Sequence, residues 1–301
     1  MELSIIIVSF NTSSFLRKCL NNVYKSLSFC KIEKDSEIFV VDNNSIDDSV
    51  SVVEKNFPKV ELIRNSRNVG FAGANNQGIR KSSGKYILLL NTDTEIKKES
   101  LNKLLDVIKK DPKVGVVGGK LLNPDGSIQP SVGYSPDVIK IFFWMMFLDD
   151  IRFLTNILKP YHVESKSFYA NEENVDWVSG ACFLVKREVI DTVGYLDDNI
   201  FMYGEEVEWC YRIKKAYFKI VYTPSAQIVH YKGASTKSEV AGIVDEFKAI
   251  LYFYKKHKSH WQLLLVKIFL KFGALLRVLT FGIIGRYKER RSLYAKAFKL
   301  D

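Results

Sequence analysis

The sequence predicts an α/β protein on a mostly parallel sheet flanked by helices, with an amphipathic helical extension at its C-terminus. Three observations predict it. Short apolar runs rich in β-branched residues alternate with segments of helical spacing through the first half, as in a parallel sheet covered on both faces. Polar clusters follow the carboxyl ends of three of those runs, where ligands bind on such sheets. The stretch 261–285 is mostly apolar and carries Lys267 and Lys271 on one helical stripe with His260.

In order, residues 2–10 (ELSIIIVSF) read as a strand, 14–26 as a helix, 37–41 (EIFVV) as a strand and 47–56 as a helix. Strands follow at 59–63 and 85–90 (KYILLL). A helix over 100–110 ends near Pro112, and a strand over 114–122 enters a turn at 123–126 (NPDG). The apolar segment 138–148 is too short to span a bilayer. Residues 175–186 read as a strand, 205–215 as a helix and 219–223 as a strand leading to His230. With 301 residues the chain suits one large domain and an appendage. The body is drawn at 1–257 and the tail at 258–301.

Charge sharpens that division. Residues 255–301 hold 12 Lys/Arg and 2 Asp/Glu, while the rest holds 32 of each sign, so the net +10 belongs to that C-terminal stretch. Its basic residues sit among Leu, Ile, Val and Phe, which favours a membrane surface over a nucleic acid. On this reading His260, Lys267 and Lys271 form a basic stripe with Arg277 beside it, and the helix lies in the interface rather than crossing it. A helix packed into the core is the alternative. The four cysteines form no CxxC pair and the first strand leaves no apolar leader, so reduced thiols and a cytoplasmic protein are expected.

The polar clusters carry the chemistry. Asp42, ending a strand, can accept the imide N–H of uracil or thymine, or it can simply cap a turn. Residues 68–78 (NVGFAGANNQG) form a Gly/Asn-rich loop that is neither a GxGxxG nor a phosphate-binding P-loop. Asp93 in Asn91-Thr92-Asp93 offers an oxygen ligand to a hard cation, or the tripeptide is only a turn. Glu205 and Glu206 are adjacent acids, suited to proton transfer or to the first turn of a helix.

These segments occur in a telling order: LSIIIVSFN, VVDNNS, NVGFAGANNQG, NTD, WVSGACF, FMYGEEVEWCYR and HYKGAST. Together they resemble the family 2 glycosyltransferases, in the branch of bacterial rhamnosyltransferases, over residues 1–257. The resemblance implies a GT-A fold, an inverting mechanism and a nucleotide-sugar donor (dTDP- or UDP-linked) bound with Mn²⁺ or Mg²⁺. It implies nucleotide contacts at Ser9, Asn11, Asp42, Asn44, Arg67, Asn68, Gly70, Asn76, Asn91 and Thr92, with Arg64 or Arg67 for the diphosphate. It implies metal ligation by Asp93 and His230, with Asn91 standing where the fuller pattern has Asp. Glu206 is the implied base where the family has Asp, with Glu205 holding the acceptor. Trp177 and Gly180 line the acceptor side, or Trp177 is core. Asp125-Gly126 resembles a family turn to which no role attaches.

The expected reaction is transfer of one sugar, rhamnose from dTDP-rhamnose first, to a lipid-linked saccharide. The enzyme would sit at the inner face of the cell membrane, bind no nucleic acid, and leave a homodimer open. A nucleotidyltransferase and a non-catalytic sugar-binding scaffold are the rival readings.

Overall fold

A computed structural model describes residues 1–151, 159–233, 242–284 and 288–300. The end of the HYKGAST segment, from Ala234, lies outside the described residues, as does Gly285. The chain forms two compact units. The first comprises Met1–Val132, Glu164–Phe201 and Glu205–Ser235; the second comprises Gly133–Val163, Met202–Gly204 and Thr236–Asp301. Residues 242–257, assigned to the body from sequence, group with the tail in the second unit.

In the first unit, strand β1 (Leu3–Ser9) leads to helix α1 (Ser13–Cys30), β2 (Ser36–Asp42) to α2 (Ser49–Asn56), and β3 (Glu61–Arg64) to α3 (Gly70–Lys81). There follow β4 (Tyr86–Asn91), the short β5 (Thr94–Ile96), α4 (Ser100–Lys110) and β6 (Val114–Leu122), and the two-residue β7 (Val132–Gly133) falls where the first unit ends and the second begins in the chain. In the second unit α5 spans Val138–Met145. The first unit closes with β8 (Glu173–Val175), β9 (Trp177–Val178), β10 (Cys182–Lys186), α6 (Arg187–Val193), α7 (Glu205–Lys215) and β11 (Lys219–His230).

The sheet order is β3-β2-β1-β4-β10-β6-β11-β5, with β8 also on β11. The first four strands are parallel, as are β6 and β11, whereas β10, β5 and β8 run antiparallel to their neighbours. The sheet is therefore mixed, and its parallel half carries the strand ends read from the sequence. Both faces are covered, which is why these strands are continuously apolar. Ile5 and Ile7 join Leu16, Leu20, Leu101 and Leu105 in one core cluster. Ile6 points the other way, at α3.

That helix corrects an expectation. Residues 68–78 were expected as a loop, yet Gly70–Lys81 is helical. Composition misled because the small residues serve close packing. A Cβ on Gly78 would stand 2.6 Å from Ile6 Cγ2, and one on Gly70 (φ +80°) 2.5 Å from the Phe201 carbonyl. Other expected boundaries shift: 175–186 breaks into β8, β9 and β10, and 219–230 is one long strand with a register shift between Thr223 and Gln227.

The second unit contains α8 (Gly242–His257), α9 (His260–Ile284) and α10 (Lys288–Phe298). One face of α9 is buried through Val266, Leu270 and Ala274, and a Cβ on Gly273 would meet Met145 at 2.6 Å. The opposite face leaves Trp261, Leu264, Ile268, Phe272, Leu275 and Leu279 exposed. At 100° per residue these six fall within one narrow stripe, flanked by Lys267 and Lys271. Arg277 does not join that basic flank. It is buried, donates to the carbonyls of Trp144 and Met145, and lies 4.1 Å from the Phe147 ring. An unpaired buried guanidinium would be costly, so those carbonyls dictate its position. No helix among the described residues is long and apolar enough to cross a membrane.

Candidate active site

Parallel register brings the strand ends level. Ser9 pairs with Asp42, Asp42 with Arg64, and Val8 with Asn91. Ser9 is buried with its hydroxyl 3.3 Å from that of Thr12. Asn11 and Asn44 take left-handed backbone angles (φ 54° and 68°), which Asn tolerates better than most residues. Asn11 laces the two loops, donating its N–H to Ser45 Oγ and accepting at Oδ1 from the Ile46 N–H. Asn44 itself is exposed.

Asp42 caps its turn and leaves the second reading of its position open. Its Oδ2 accepts the Ser45 N–H at 3.0 Å, as a turn cap would, while Oδ1 is buried without a partner. Asn43, not singled out from sequence, is almost wholly buried. It accepts from Asn65 and donates to the Gly70 carbonyl, tying the loop after β2 to the start of α3. Asn68 Oδ1 caps the Gly70 N–H at 2.9 Å. Arg67 is exposed, and Arg64 pairs with Glu54 at the surface.

Asn76 has a structural partner that the sequence did not show. Both ends of its amide are engaged by Leu196, donating to the carbonyl and accepting from the N–H. It closes a contact 120 residues away in sequence.

Asn91, Thr92 and Asp93 form the crossing from β4 to β5. Thr92 and Asp93 are buried, and Asn91 Oδ1 is buried without a partner. Antiparallel pairing of β5 with the end of β11 sets His230 opposite Thr94, and the Tyr231 N–H donates to the Asp93 carbonyl. In consequence His230 Nε2 lies 3.3 Å from Asp93 Oδ1. Two ligands at right angles about one Mg²⁺- or Mn²⁺-sized ion, each at ~2.1 Å, stand ~3.0 Å apart. The pair fits a cation with little movement. No group of three protein ligands occurs among the described residues, so the remaining ligands would come from phosphate and water.

Glu205 and Glu206 open α7. Glu205 is buried with Oε2 unpartnered, whereas Glu206 is half-buried. Burial, and next the charge of Glu206, hold the Glu205 carboxyl well above the usual carboxylate range. Glu205 thus stands beside an acid that keeps water on one side, and the two environments differ. Glu208, fully buried, is matched by a fork from Arg212 whose other N–H groups donate to the Val193 and Tyr195 carbonyls.

A testable consequence concerns pH. The stability that neutral Glu205 contributes is complete below the ordinary carboxylate pKa and is lost as pH rises through its raised one. The Glu205→Gln protein stays neutral throughout. It is expected to gain on wild type in Tm between about pH 5 and about pH 9 in thermal melts. An equal gap at both ends would show that Glu205 is not held neutral.

Trp177 is buried, 7% exposed, so the core alternative describes it better than an open wall. Gly180 lies beside Phe71, whose ring a Cβ would meet at 3.2 Å. Phe71 is half-buried and was missed, because in the sequence it reads as one apolar residue within a loop.

Four buried side-chain oxygens among the described residues lack a partner: Asp42 Oδ1, Asn91 Oδ1, Ser131 Oγ and Glu205 Oε2. Buried polar groups are nearly always paired, so three such orphans on expected ligand positions mark a site.

Comparison with known proteins agrees with this geometry. The profile of glycosyl transferase family 2 matches residues 4–194. The N-acetylglucosaminyl-diphospho-decaprenol L-rhamnosyltransferase of Mycobacterium tuberculosis is 27% identical over 280 residues, covering 86% of each chain. The low-salt glycan biosynthesis hexosyltransferase Agl10 of Haloferax volcanii is 28% identical over 233 residues, 76% of this chain and 67% of that one. Among solved structures, the mannosyltransferase PcManGT from Pyrobaculum calidifontis, in complex with GDP-Man and Mn²⁺, superposes with TM-score 0.60 at 16% identity, covering 98% of this chain and 84% of its own. GalNAc-T7 with UDP, GalNAc and Mn²⁺ superposes at 0.62 and 18% identity, covering 99% and 55%. At these identities the structural likeness speaks for the fold.

Proposed function

This chain belongs to glycosyl transferase family 2, and from that premise we propose that it transfers rhamnose from dTDP-rhamnose, with inversion, to a lipid-linked saccharide. It is a glycosyltransferase; the sugar and the acceptor are the part proposed. The observation that carries the reading is the trio of buried, unpartnered oxygens on Asp42, Asn91 and Glu205. The name of the mycobacterial relative supports the choice of donor sugar and of a lipid diphosphate acceptor.

In this reading Asp42 Oδ1 accepts the imide N–H of thymine, and Ser9, Asn11, Asn44, Asn68, Gly70 and Thr92 surround the nucleotide with Arg67 on the diphosphate. Asp93 and His230 hold Mn²⁺ or Mg²⁺, which would act as a Lewis acid on the leaving diphosphate. Glu206 takes the acceptor hydroxyl's proton as the new C–O bond forms. Neutral Glu205 donates to the acceptor and keeps it in line. Calorimetric titration with dTDP-rhamnose, UDP-glucose, UDP-galactose and UDP-N-acetylglucosamine, with Mn²⁺ and then EDTA, tests this. Metal-dependent binding of dTDP-rhamnose alone is expected; preference for a UDP-sugar would replace the donor, and no binding of any would sink the reading.

The second unit is proposed to hold the enzyme on the anionic inner leaflet of the cell membrane. The exposed stripe of α9 and the basic excess of the tail support this. Burying one such Leu or Phe side chain is worth ~1.5–3 kcal/mol, against ~1 kcal/mol for each Lys or Arg near an anionic surface. The apolar stripe should therefore dominate. Leu264→Glu with Phe272→Glu is expected to abolish flotation with phosphatidylglycerol vesicles, while high salt only weakens it. Unchanged flotation of the double variant would refute the α9 contact, and salt-only sensitivity would shift it to the lysines.

A further inference from the structure

The turn at 123–126, whose Asp125-Gly126 pair carried no role in the sequence, has one in the structure. It returns the chain so that Gln129 reaches His230. The Asn123 N–H donates to the Ser127 carbonyl and the Gly126 N–H to the Asn123 carbonyl. Asp125 Oδ1 accepts from both the N–H and the hydroxyl of Ser127, and Gly126 takes φ +82°. The Gln129 N–H then donates to the Leu121 carbonyl, which fixes the backbone of Gln129 beside β6.

The amide of Gln129 is buried and fully specified. Its Nε2 lies 3.3 Å from the backbone carbonyl of His230 and 2.8 Å from Asn123 Oδ1. A backbone carbonyl can only accept, so the nitrogen end must face it and the oxygen end must face the ring. Gln129 Oε1 lies 2.6 Å from His230 Nδ1. That oxygen can only accept, so Nδ1 carries a hydrogen. In a neutral ring Nε2 is then a bare lone pair, and it faces Asp93 Oδ1 at 3.3 Å. Two acceptors at that distance repel unless a proton or a metal cation sits between them.

We propose that Gln129, held by the 123–126 turn, is the positioning residue of the metal site: it fixes the Nδ1–H tautomer of His230 and so presents Nε2 to a divalent cation shared with Asp93. The inference rests on the metal-site reading above and extends it to residues in a different segment. Outer hydrogen-bond partners of this kind orient a ligand ring and raise its basicity.

The test begins with the metal-free wild-type protein. Imidazole ¹⁵N shifts are read at about pH 8.5, above the ordinary His range, and His230 is assigned by its loss in His230→Asn. The expected signature is a neutral ring protonated at Nδ1. A neutral ring protonated at Nε2 alone overturns the proposal, whereas a hydrogen on Nδ1 supports it, and this reading needs no donor, so it stands or falls apart from the sugar-transfer reading. The second arm measures Mn²⁺ affinity by electron paramagnetic resonance with dTDP present. Gln129→Met is expected to weaken Mn²⁺ by ~10–100-fold and to scramble the tautomer. Gln129→Glu keeps an acceptor against Nδ1 and is expected to restore the signature, but it loses the donors to the His230 carbonyl and Asn123 Oδ1, so affinity should recover only in part. Wild-type affinity in a folded Gln129→Met protein would also overturn it. If that variant does not fold, the wild-type ¹⁵N signature decides alone.

Discussion

The Glu206→Gln enzyme is expected to bind donor and metal as the wild type does and to transfer sugar about 10²–10⁴-fold more slowly. Direct displacement at the anomeric carbon needs a group that is ionised before the reaction and able to accept a proton during it. Glu206 is half-buried, whereas burial keeps Glu205 protonated and unable to accept. The two neighbours are therefore not interchangeable, although the sequence writes them identically. Glutamine is isosteric, so α7 and its buried face around Trp209 and Cys210 should persist. Measured at saturating donor, kcat should fall with KM for the donor unchanged. A kcat within about threefold of wild type would move the base to another residue. A matched fall for Glu205→Gln would show instead that the pair works as one unit.

Asp93→Ala should remove metal-dependent donor binding altogether. Its backbone carbonyl, not its side chain, accepts the Tyr231 N–H, so the β5–β11 junction should survive the change. In the site proposed above, what is lost is the carboxylate ligand of the cation, leaving His230 with the substrate phosphates. A metal that neutralises the leaving diphosphate is worth several kcal/mol, and each 1.36 kcal/mol is tenfold, so kcat/KM should fall by about 10³-fold or more. EDTA should add nothing further to this variant. If Asp93→Ala keeps a calorimetric signal that EDTA abolishes, another residue carries the metal.

The legible part of the molecule was local. Ser9, Asp42 and Asn91 end apolar runs, and parallel pairing turns three separate strand ends into one rim. What was illegible depends on distant partners. Asn76 reads as a polar loop residue until Leu196 takes both ends of its amide. Arg277 reads as part of a surface stripe until the carbonyls of Trp144 and Met145 enclose it. Gln129 carries no signal at all, because its role exists only once His230, 101 residues later, arrives beside it. The helix over Gly70–Lys81 was hidden for a related reason. Its glycines are demanded by Ile6 and Phe201 rather than by a local turn.

Under the membrane contact proposed above, the exposed ribbon of α9 alters how the enzyme should be assayed. An enzyme resting on a bilayer searches for a lipid-borne acceptor in two dimensions, and its rate follows the acceptor's mole fraction in the vesicle rather than its bulk molarity. Diluting the acceptor with inert lipid at constant total acceptor should then slow turnover, while diluting the whole suspension should not. A water-soluble acceptor analogue forfeits that confinement and will report a KM inflated by the lost local concentration, whatever the chemistry at Glu206.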